Sequence, residues 1–315
     1  MPAIKAVSLS CRASVTAGAR LVLSGLRLPL RLISTPFPAL SMLLRPACLF
    51  ATLLLAAQAH AHTICTAIAD ARTGQVLAQQ GECTQRVTPA STFKLAISLM
   101  GFDSGFLQDA HTPVLQYQKG DPDWGGAPWL QPTEPTRWMK YSVVWYSQRV
   151  AHHLGMPQFA AYARKFDYGN ADVSGDAGKN NGLDRAWISS SLQISPLEQL
   201  TFLGKLVNGT LPVSAHAFEV TRQISQLGNL PNGWELHGKT GAAYPHKGDD
   251  FDYAHGYGWF VGWASKAGRT LVFARLTQDD QETQTSPGIR TRDALLTELP
   301  NLLDTLAQAP AASPQ

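Results

Sequence analysis

The chain has 315 residues, 44% of them apolar and 16% charged, so it can form one large domain or two modest ones with a buried core. Its formal net charge of +3 is unevenly placed: six basic and no acidic residues precede Asp70, which leaves 20 Lys and Arg against 23 Asp and Glu in the remainder. That remainder offers no basic patch, which argues against a nucleic-acid-binding protein.

The N-terminus has the pattern of an export signal. Residues 42–45 form a short positive start, residues 46–57 an apolar run too short to span a membrane, and Ala59-His60-Ala61 a small-x-small cleavage site. Translation therefore starts either at Met42 or at Met1 with an unusually long leader. In both cases residues 1–61 are a leader outside the fold, and the mature protein is expected in the periplasm.

Export decides how the cysteines are interpreted. Cys11 and Cys48 leave with the leader, while Cys65 and Cys83 flank a predicted β-hairpin whose turn is centred on residues 73–74. That turn places the two cysteines within one residue of register, and an oxidising compartment favours a Cys65–Cys83 disulfide. Two unpaired, half-buried thiols are the alternative.

The rest of the mature chain predicts one α+β domain over residues 62–310, followed by a disordered tail at 311–315. Strand-like runs at 234–238, 256–264 and 270–276 predict an antiparallel meander. A capping box at Ser195-Pro196-Leu197-Glu198 predicts a helix that Asn208-Gly209 ends, and residues 289–307 predict a closing helix that Pro300 bends or interrupts. A central antiparallel sheet built from both chain ends, with flanking helices and an inserted helical region, should place the active site in the cleft between them.

The first candidate for chemistry is Ser91-Thr92-Phe93-Lys94. Thr88 and Pro89 are expected to cap and begin an apolar, buried helix, on which Ser91 and Lys94 share a face three residues apart. A serine hydroxyl needs a neighbouring base, and a lysine can serve if burial lowers its pKa. Taken alone, this pattern also fits a capped helix with a solvent-exposed lysine.

Four further motifs follow in order: Ser142-Val143-Val144, Tyr168-Gly169-Asn170, Trp187 and Lys239-Thr240-Gly241. The last is expected at the end of a strand, where Lys239 and Thr240 suit a substrate carboxylate and Gly241 allows a ligand to approach the backbone. Each motif alone is an ordinary strand, turn, loop or core aromatic. Their combination in this order indicates one catalytic site.

With these motifs, residues 63–307 resemble the class D (oxacillinase-type) serine β-lactamases, and Gly258-Trp259-Phe260-Val261-Gly262-Trp263 fits the same family. Val144 is discriminating, because related class A enzymes and penicillin-binding proteins carry asparagine there. The resemblance implies the β-lactamase/transpeptidase-like fold and hydrolysis of β-lactam antibiotics, penicillins and oxacillin-type penicillins included, which confers resistance.

The resemblance also implies a role for each matching residue. Ser91 becomes the acyl-enzyme, Ser142 relays a proton to the lactam nitrogen, and Lys94 is the base in carbamylated form (N6-carboxylysine, made with carbon dioxide). Val144, with Ile188, keeps the lysine dry, and the indole of Trp187 holds the carbamate. The remaining implied residues bind substrate: the backbone N–H groups of Ser91 and Ala242 as the oxyanion hole, and Lys239, Thr240, Gly241 and Arg290 around the carboxylate. Tyr168 and Asn170 are expected to shape a neighbouring loop.

Other candidates are set aside. His60 and His62 straddle the cleavage site without a third ligand, so no metal site and no cofactor beyond carbon dioxide or bicarbonate is expected. Asp279 and Asp280 are expected as solvated loop charges. The expected partner is a small β-lactam substrate; a stable membrane span is not expected, and carbapenem activity and oligomeric state stay open.

Three alternatives remain. A cell-wall transpeptidase or carboxypeptidase shares the serine, lysine and Lys-Thr-Gly motifs, although Val144 and the single compact domain argue against it. A β-lactam sensor would be acylated without fast turnover, and a degenerate, catalytically silent protein would retain the motifs alone.

Overall fold

The computed structural model of the protein describes residues 61–308. The predicted leader up to residue 60, the choice between Met42 and Met1, and the predicted tail at 311–315 lie outside the described residues. Ala61 was predicted as the last leader residue outside the fold, and this is wrong, because it begins strand β1 (Ala61–Asp70) and pairs with Asp279.

A six-stranded antiparallel sheet forms the centre of the domain, in the order β2-β1-β8-β7-β4-β3. The central pairing of β1 with β8 joins the two ends of the chain, and β4, β7 and β8 form the predicted meander. The strands are β1 Ala61–Asp70, β2 Val76–Gly81, β3 Gln226–Asn229, β4 Glu235–Ala243, β5 His246–Lys247, β6 Asp250–Phe251, β7 Tyr257–Lys266 and β8 Arg269–Asp279, with β5 and β6 pairing apart from the large sheet.

Helices cover both faces of the sheet, because the strands alternate apolar side chains to either side. Val261 and Ala274 face the helical region between β2 and β3, whereas Phe260 and Phe273 face the C-terminal helix. The helices are α1 Lys94–Asp103, α2 Pro135–Tyr141, α3 Val144–Lys165, α4 Gly182–Arg185, α5 Pro196–Asn208, α6 Ala215–Ser225 and α7 Pro287–Gln308. The predicted α+β architecture is confirmed.

Two helix predictions had different outcomes. The capping box of α5 is confirmed, since the Ser195 hydroxyl accepts from Glu198 N and the Glu198 carboxylate accepts from Ser195 N. Of the two alternatives predicted for Pro300, a bend or an interruption, the interruption is excluded, because α7 continues through it to Gln308. A proline removes one backbone N–H, and buried leucines on both sides of it, Leu295 and Leu303 among them, pack the helix against the sheet.

The N-terminal hairpin carries the predicted disulfide between Cys65 and Cys83, whose Cα atoms are 5.0 Å apart. Cys65 pairs with Gly81 in the ladder, so Cys83 lies two residues beyond register rather than one. Glu82 N donates to Ile64 O, which turns the chain so that the two sulfurs meet in the core.

Loss of this disulfide should destabilise the domain. The double variant Cys65→Ala, Cys83→Ala is expected to lose about 3 kcal/mol of unfolding free energy, because the bridge closes a loop of 18 residues in the unfolded chain. Urea unfolding with and without reductant measures this loss. Reductant should lower the urea midpoint of the wild type and leave the midpoint of the variant unchanged. Equal midpoints for the variant and the oxidised wild type would contradict the expectation.

Candidate active site

The serine motif begins in a tight turn rather than in an α-helix. Residues 90–93 form a short 3-10 helix that leads into α1 at Lys94, and Ala90 has a φ of +50°. A non-glycine residue in the left-handed region is uncommon and is concentrated at functional sites. The predicted capping role of Thr88 is wrong: its hydroxyl donates to Trp187 O and accepts from Ser189 N, tying the serine turn to the segment that carries Trp187.

Ser91 and Lys94 face each other as the i, i+3 spacing predicts. Lys94 Nζ lies 3.1 Å from Ser91 Oγ, and the lysine is 0% exposed. Burial, followed by the charge of Lys239, lowers the pKa of Lys94 well below the usual value for lysine. A neutral amine at this position can accept a proton from the serine hydroxyl.

Ser91 opens into a cavity of about 430 Å³, hereafter the reaction cavity. Six other residues singled out from the sequence line it with Ser91, from three separate parts of the chain: Ser142, Val144, Ile188, Thr240, Gly241 and Ala242. Lys94 and Trp187 are fully buried and do not line it, and Arg290 lies outside its lining.

Ser142 lies at the corner between α2 and α3 with a φ of +60°. The corner places Ser142 in the lining of the reaction cavity, while Val143 N donates back to Trp138 O and closes the last turn of α2. Val144 follows as the first residue of α3, so one sharp turn delivers both side chains to the same cavity.

Trp187 is buried in an aromatic cluster beside the start of α1. Its ring centroid lies 6.0 Å from those of both Phe93 and Phe159. The indole Nε1 is buried and has no hydrogen-bond partner among the described residues. Such a donor is costly to leave unpaired, and it marks a place where an acceptor would fit.

Lys239-Thr240-Gly241 lies inside β4, not at the strand end as predicted, and all three residues pair with β7. The strand passes directly against the serine turn: a Cβ at Gly241 would lie 2.9 Å from Pro89 O. The close approach that this glycine permits is therefore made by the protein's own backbone.

The ammonium of Lys239 is buried and bonds only to its neighbour, with Nζ 3.0 Å from Thr240 O and 3.4 Å from Thr240 Oγ1. Burial, with the charge of Arg292, lowers the pKa of Lys239 to about 7. An incoming carboxylate would offset both effects and restore the charge on Lys239.

Arg290 is paired with Asp279, a residue that was predicted to be solvated. Its guanidinium forms an ion pair with Asp279, and its Nε donates to Thr285 O at 3.1 Å. Asp279 is 2% exposed at the end of β8, so its expected solvation is wrong; the strand continues three residues beyond the predicted end and carries the carboxylate inside. Asp280, the next residue, bonds with His62 at the surface.

Tyr168 and Asn170 shape the surroundings of the serine turn. Gln199 bridges Tyr168 to Thr92 through its amide nitrogen. Asn170 donates to Ser191 O and accepts from Gln193 N, and these bonds link the loop at Asn170 to the segment that follows Trp187.

Sequence reasoning missed the apolar rim of the reaction cavity. The rim is formed by side chains from four segments: Trp124, Trp129, Tyr141, Tyr244 and Ile289. Tyr141 and Ile289 directly adjoin Ser142 and Arg290 in the sequence, which is the one signal that could have pointed to them. The others come from loops without a recognisable motif.

No group of three or more His, Cys, Asp or Glu is arranged to hold a metal ion among residues 61–308. None of the helices in that range combines the length and apolar character that a membrane span needs.

Comparison with known families identifies one that matches most of the chain. The family described as penicillin binding protein transpeptidase domain matches residues 64–298. This range contains the serine turn, β4 and the start of α7, and therefore the whole site.

Individual relatives identify the kind of protein more narrowly than the family match does. The chain is 42% identical over 243 residues to β-lactamase OXA-9 of Klebsiella pneumoniae, covering 76% of this chain and 88% of that protein. It is 37% identical over 241 residues to β-lactamase OXA-1 of Escherichia coli, covering 76% and 84%. Among solved structures, the class D β-lactamase OXA-427 superposes with a TM-score of 0.73 at 46% identity, covering 78% of this chain and all of that one.

Proposed function

Because this chain belongs to the penicillin-binding-protein transpeptidase-domain family and is a class D serine β-lactamase, an enzyme that hydrolyses β-lactams, we propose that Ser91 is its nucleophile and the Lys94 side chain its general base. The observation that carries the proposal is the 3.1 Å contact between Lys94 Nζ and Ser91 Oγ, made by a lysine with no solvent exposure.

Acylation follows from the positions of three side chains. The Lys94 side chain accepts the Ser91 proton while Oγ bonds to the lactam carbonyl carbon. As the carbon–nitrogen bond breaks, Ser142 delivers a proton to the leaving nitrogen, and the ester on Ser91 is complete. Ser142 lines the same cavity as Ser91, which supports this assignment.

The oxyanion is assigned to the backbone N–H groups of Ser91 and Ala242. Ala242 lines the reaction cavity on β4, and the contact of Gly241 with the serine turn holds the strand beside Ser91. Fixed N–H donors stabilise the negative charge that develops on the carbonyl oxygen without reorganising during the reaction.

The substrate carboxylate is assigned to Lys239, Thr240 and Arg290. Thr240 lines the cavity directly, and Lys239 lies beside it with no acidic partner among the contacts described. Arg290 must share its guanidinium between Asp279 and the substrate, so the carboxylate competes with a buried ion pair at this position.

Lys94 is proposed to act as its N6-carboxylated form, and the residues around it fit that group. The lowered pKa supplies the neutral amine that combines with carbon dioxide, Val144 keeps the pocket dry, and the unpaired Trp187 indole N–H is a ready donor to an acceptor. When present, the added carboxylate supplies a proton acceptor for acylation and for the water that hydrolyses the ester.

Penicillins, oxacillin-type penicillins included, are the proposed substrates, and the apolar rim around Trp124 and Tyr141 supports binding of their aromatic side chains. The periplasm is the proposed location. The Cys65–Cys83 disulfide supports it, because such bonds persist in oxidising compartments.

Bicarbonate dependence tests the modified lysine. Penicillin hydrolysis should fall when bicarbonate is removed and return when it is restored. In Trp187→Phe, which keeps the ring and removes the indole N–H, the bicarbonate concentration needed for half-maximal activity should rise about tenfold or more, as expected for losing a hydrogen bond to a charged group.

Trp234→Phe is the matched control, because that indole donates to Asp304, outside the reaction cavity. It should leave the bicarbonate dependence unchanged. Activity indifferent to bicarbonate in the wild type would refute the carboxylated lysine while leaving the Ser91 nucleophile intact.

A further inference from the structure

A second cavity adjoins the reaction cavity along β4 and has a strongly positive lining. It measures about 490 Å³, and Tyr141 and Thr240 line both cavities. We call it the cationic groove, after the three basic residues that line it: Lys140, Lys239 and Arg292. Among residues 61–308, no acidic residue lines the groove.

The three cations differ in how far they are engaged elsewhere. Lys239 is buried and bonds only to Thr240. Lys140 is exposed, with Nζ 5.4 Å from the Tyr141 ring centroid. Arg292 pairs with its neighbour Asp293 in a largely exposed contact, which contributes little in water. Lys140 and the weakly paired Arg292 can therefore act on an anion in the groove, and the repulsion among the three cations would fall when one binds.

The remaining lining makes the groove suitable for more than a bare ion. Tyr141 and Leu227, both exposed, supply apolar surface beside the cations, and Gln223 and Gln226 add amide groups at the exposed side. This combination matches an anionic group carried on an aromatic or heterocyclic ring.

The position of the groove relates it to one part of a β-lactam. Thr240, a proposed carboxylate-binding residue, lies at the boundary between the two cavities. In a cephalosporin the ring carbon next to the carboxylate-bearing carbon carries the 3-substituent. With the carboxylate at Thr240, the 3-substituent leaves the ring from the carbon next to the carboxylate-bearing carbon, on the side of the molecule nearest the boundary with the groove.

We propose that the cationic groove is a second anion subsite, which selects cephalosporins whose 3-substituent bears a negative charge. The inference rests on the proposed function, because Thr240 orients the substrate in both. It assigns Lys140 and Arg292 to substrate selection, a role separate from bond breaking.

The test uses two cephalosporins that are identical except that the 3-substituent ends in a carboxylate or in the corresponding carboxamide. For the wild type, kcat/KM for the carboxylate should exceed that for the carboxamide, and the ratio should fall with added salt. Lys140→Gln and Arg292→Gln should each lower the ratio about three- to fivefold and together about tenfold, mainly through KM.

Lys165→Gln is the matched control, since it removes an exposed positive charge at the end of α3, away from either cavity, and should leave the ratio unchanged. A ratio that is unchanged in the double variant, or equally lowered by Lys165→Gln, would overturn the subsite. Hydrolysis of the carboxamide by the wild type separates failure of the subsite from failure of the proposed function. If the carboxylate preference is absent but the carboxamide is still hydrolysed, the subsite hypothesis fails and the proposed β-lactamase function stands.

Discussion

Ser91→Ala is expected to lose steady-state β-lactam hydrolysis by a factor on the order of 10⁴ or more, because it removes the hydroxyl that the buried Lys94 amine contacts. Ser142 lines the same cavity, but the buried Lys94 amine contacts Ser91 Oγ. Turnover of a chromogenic cephalosporin measures the loss, and intact-protein mass spectrometry should show no covalent adduct.

Two observations complete this test. Ser265→Ala, which removes a hydroxyl bonded to Thr270 at the far end of the β7–β8 hairpin, should keep wild-type activity. Stable substrate binding without a mass shift in Ser91→Ala would show that the cavity survives the change. Rapid hydrolysis by a folded Ser91→Ala protein would disprove the nucleophile.

Lys94→Ala is expected to reduce kcat by a factor on the order of 10³ or more, because both the serine and the deacylating water lose their base. Residual acylation should then leave the ester in place, so that a covalent adduct accumulates over minutes and is seen by mass spectrometry. Lys94→Met, which retains more of the side-chain volume, should behave in the same way. Wild-type kcat in either variant would refute Lys94 as the base.

The same residue sets the direction of the pH dependence. Because burial and the charge of Lys239 lower the pKa of Lys94, its amine is neutral above that lowered pKa, and kcat/KM should fall as the pH drops through it. In bicarbonate-free buffer the unfolded chain binds the extra proton, so wild-type stability should rise with pH up to about 10. Lys94→Met should show a smaller rise, because only the part contributed by the lowered pKa of Lys239 remains, and this readout does not need activity.

Local patterns explain which parts of this protein were predictable from the sequence. The hairpin with its disulfide, the capping box of α5 and the facing pair Ser91 and Lys94 each depend on residues close together in the chain. Their geometry follows from the period of a helix or strand. The motif order was sufficient to indicate the family, which the comparisons confirm.

Errors arose where distant segments meet. The Thr88 hydroxyl bonds to Trp187 O and Ser189 N rather than capping a helix. Of the two effects predicted for Pro300, the interruption does not occur, since buried leucines on both sides pack α7 against the sheet. Asp279 was expected in solvent, yet β8 extends three residues beyond its predicted end and buries the Asp279 carboxylate against Arg290. In each case a long-range contact outweighed a local preference.

The sequence by itself determined the spacing of the hydroxyl and the amine, the strand alternation and the identity of the motif residues, because these are properties of short stretches of chain. Only the tertiary structure decided that Lys94 is dry, that the Trp187 indole lacks a partner and that three cations share one groove. The physical reason is that burial and charge–charge energies depend on every segment that packs around a group, and those segments come from all parts of the chain.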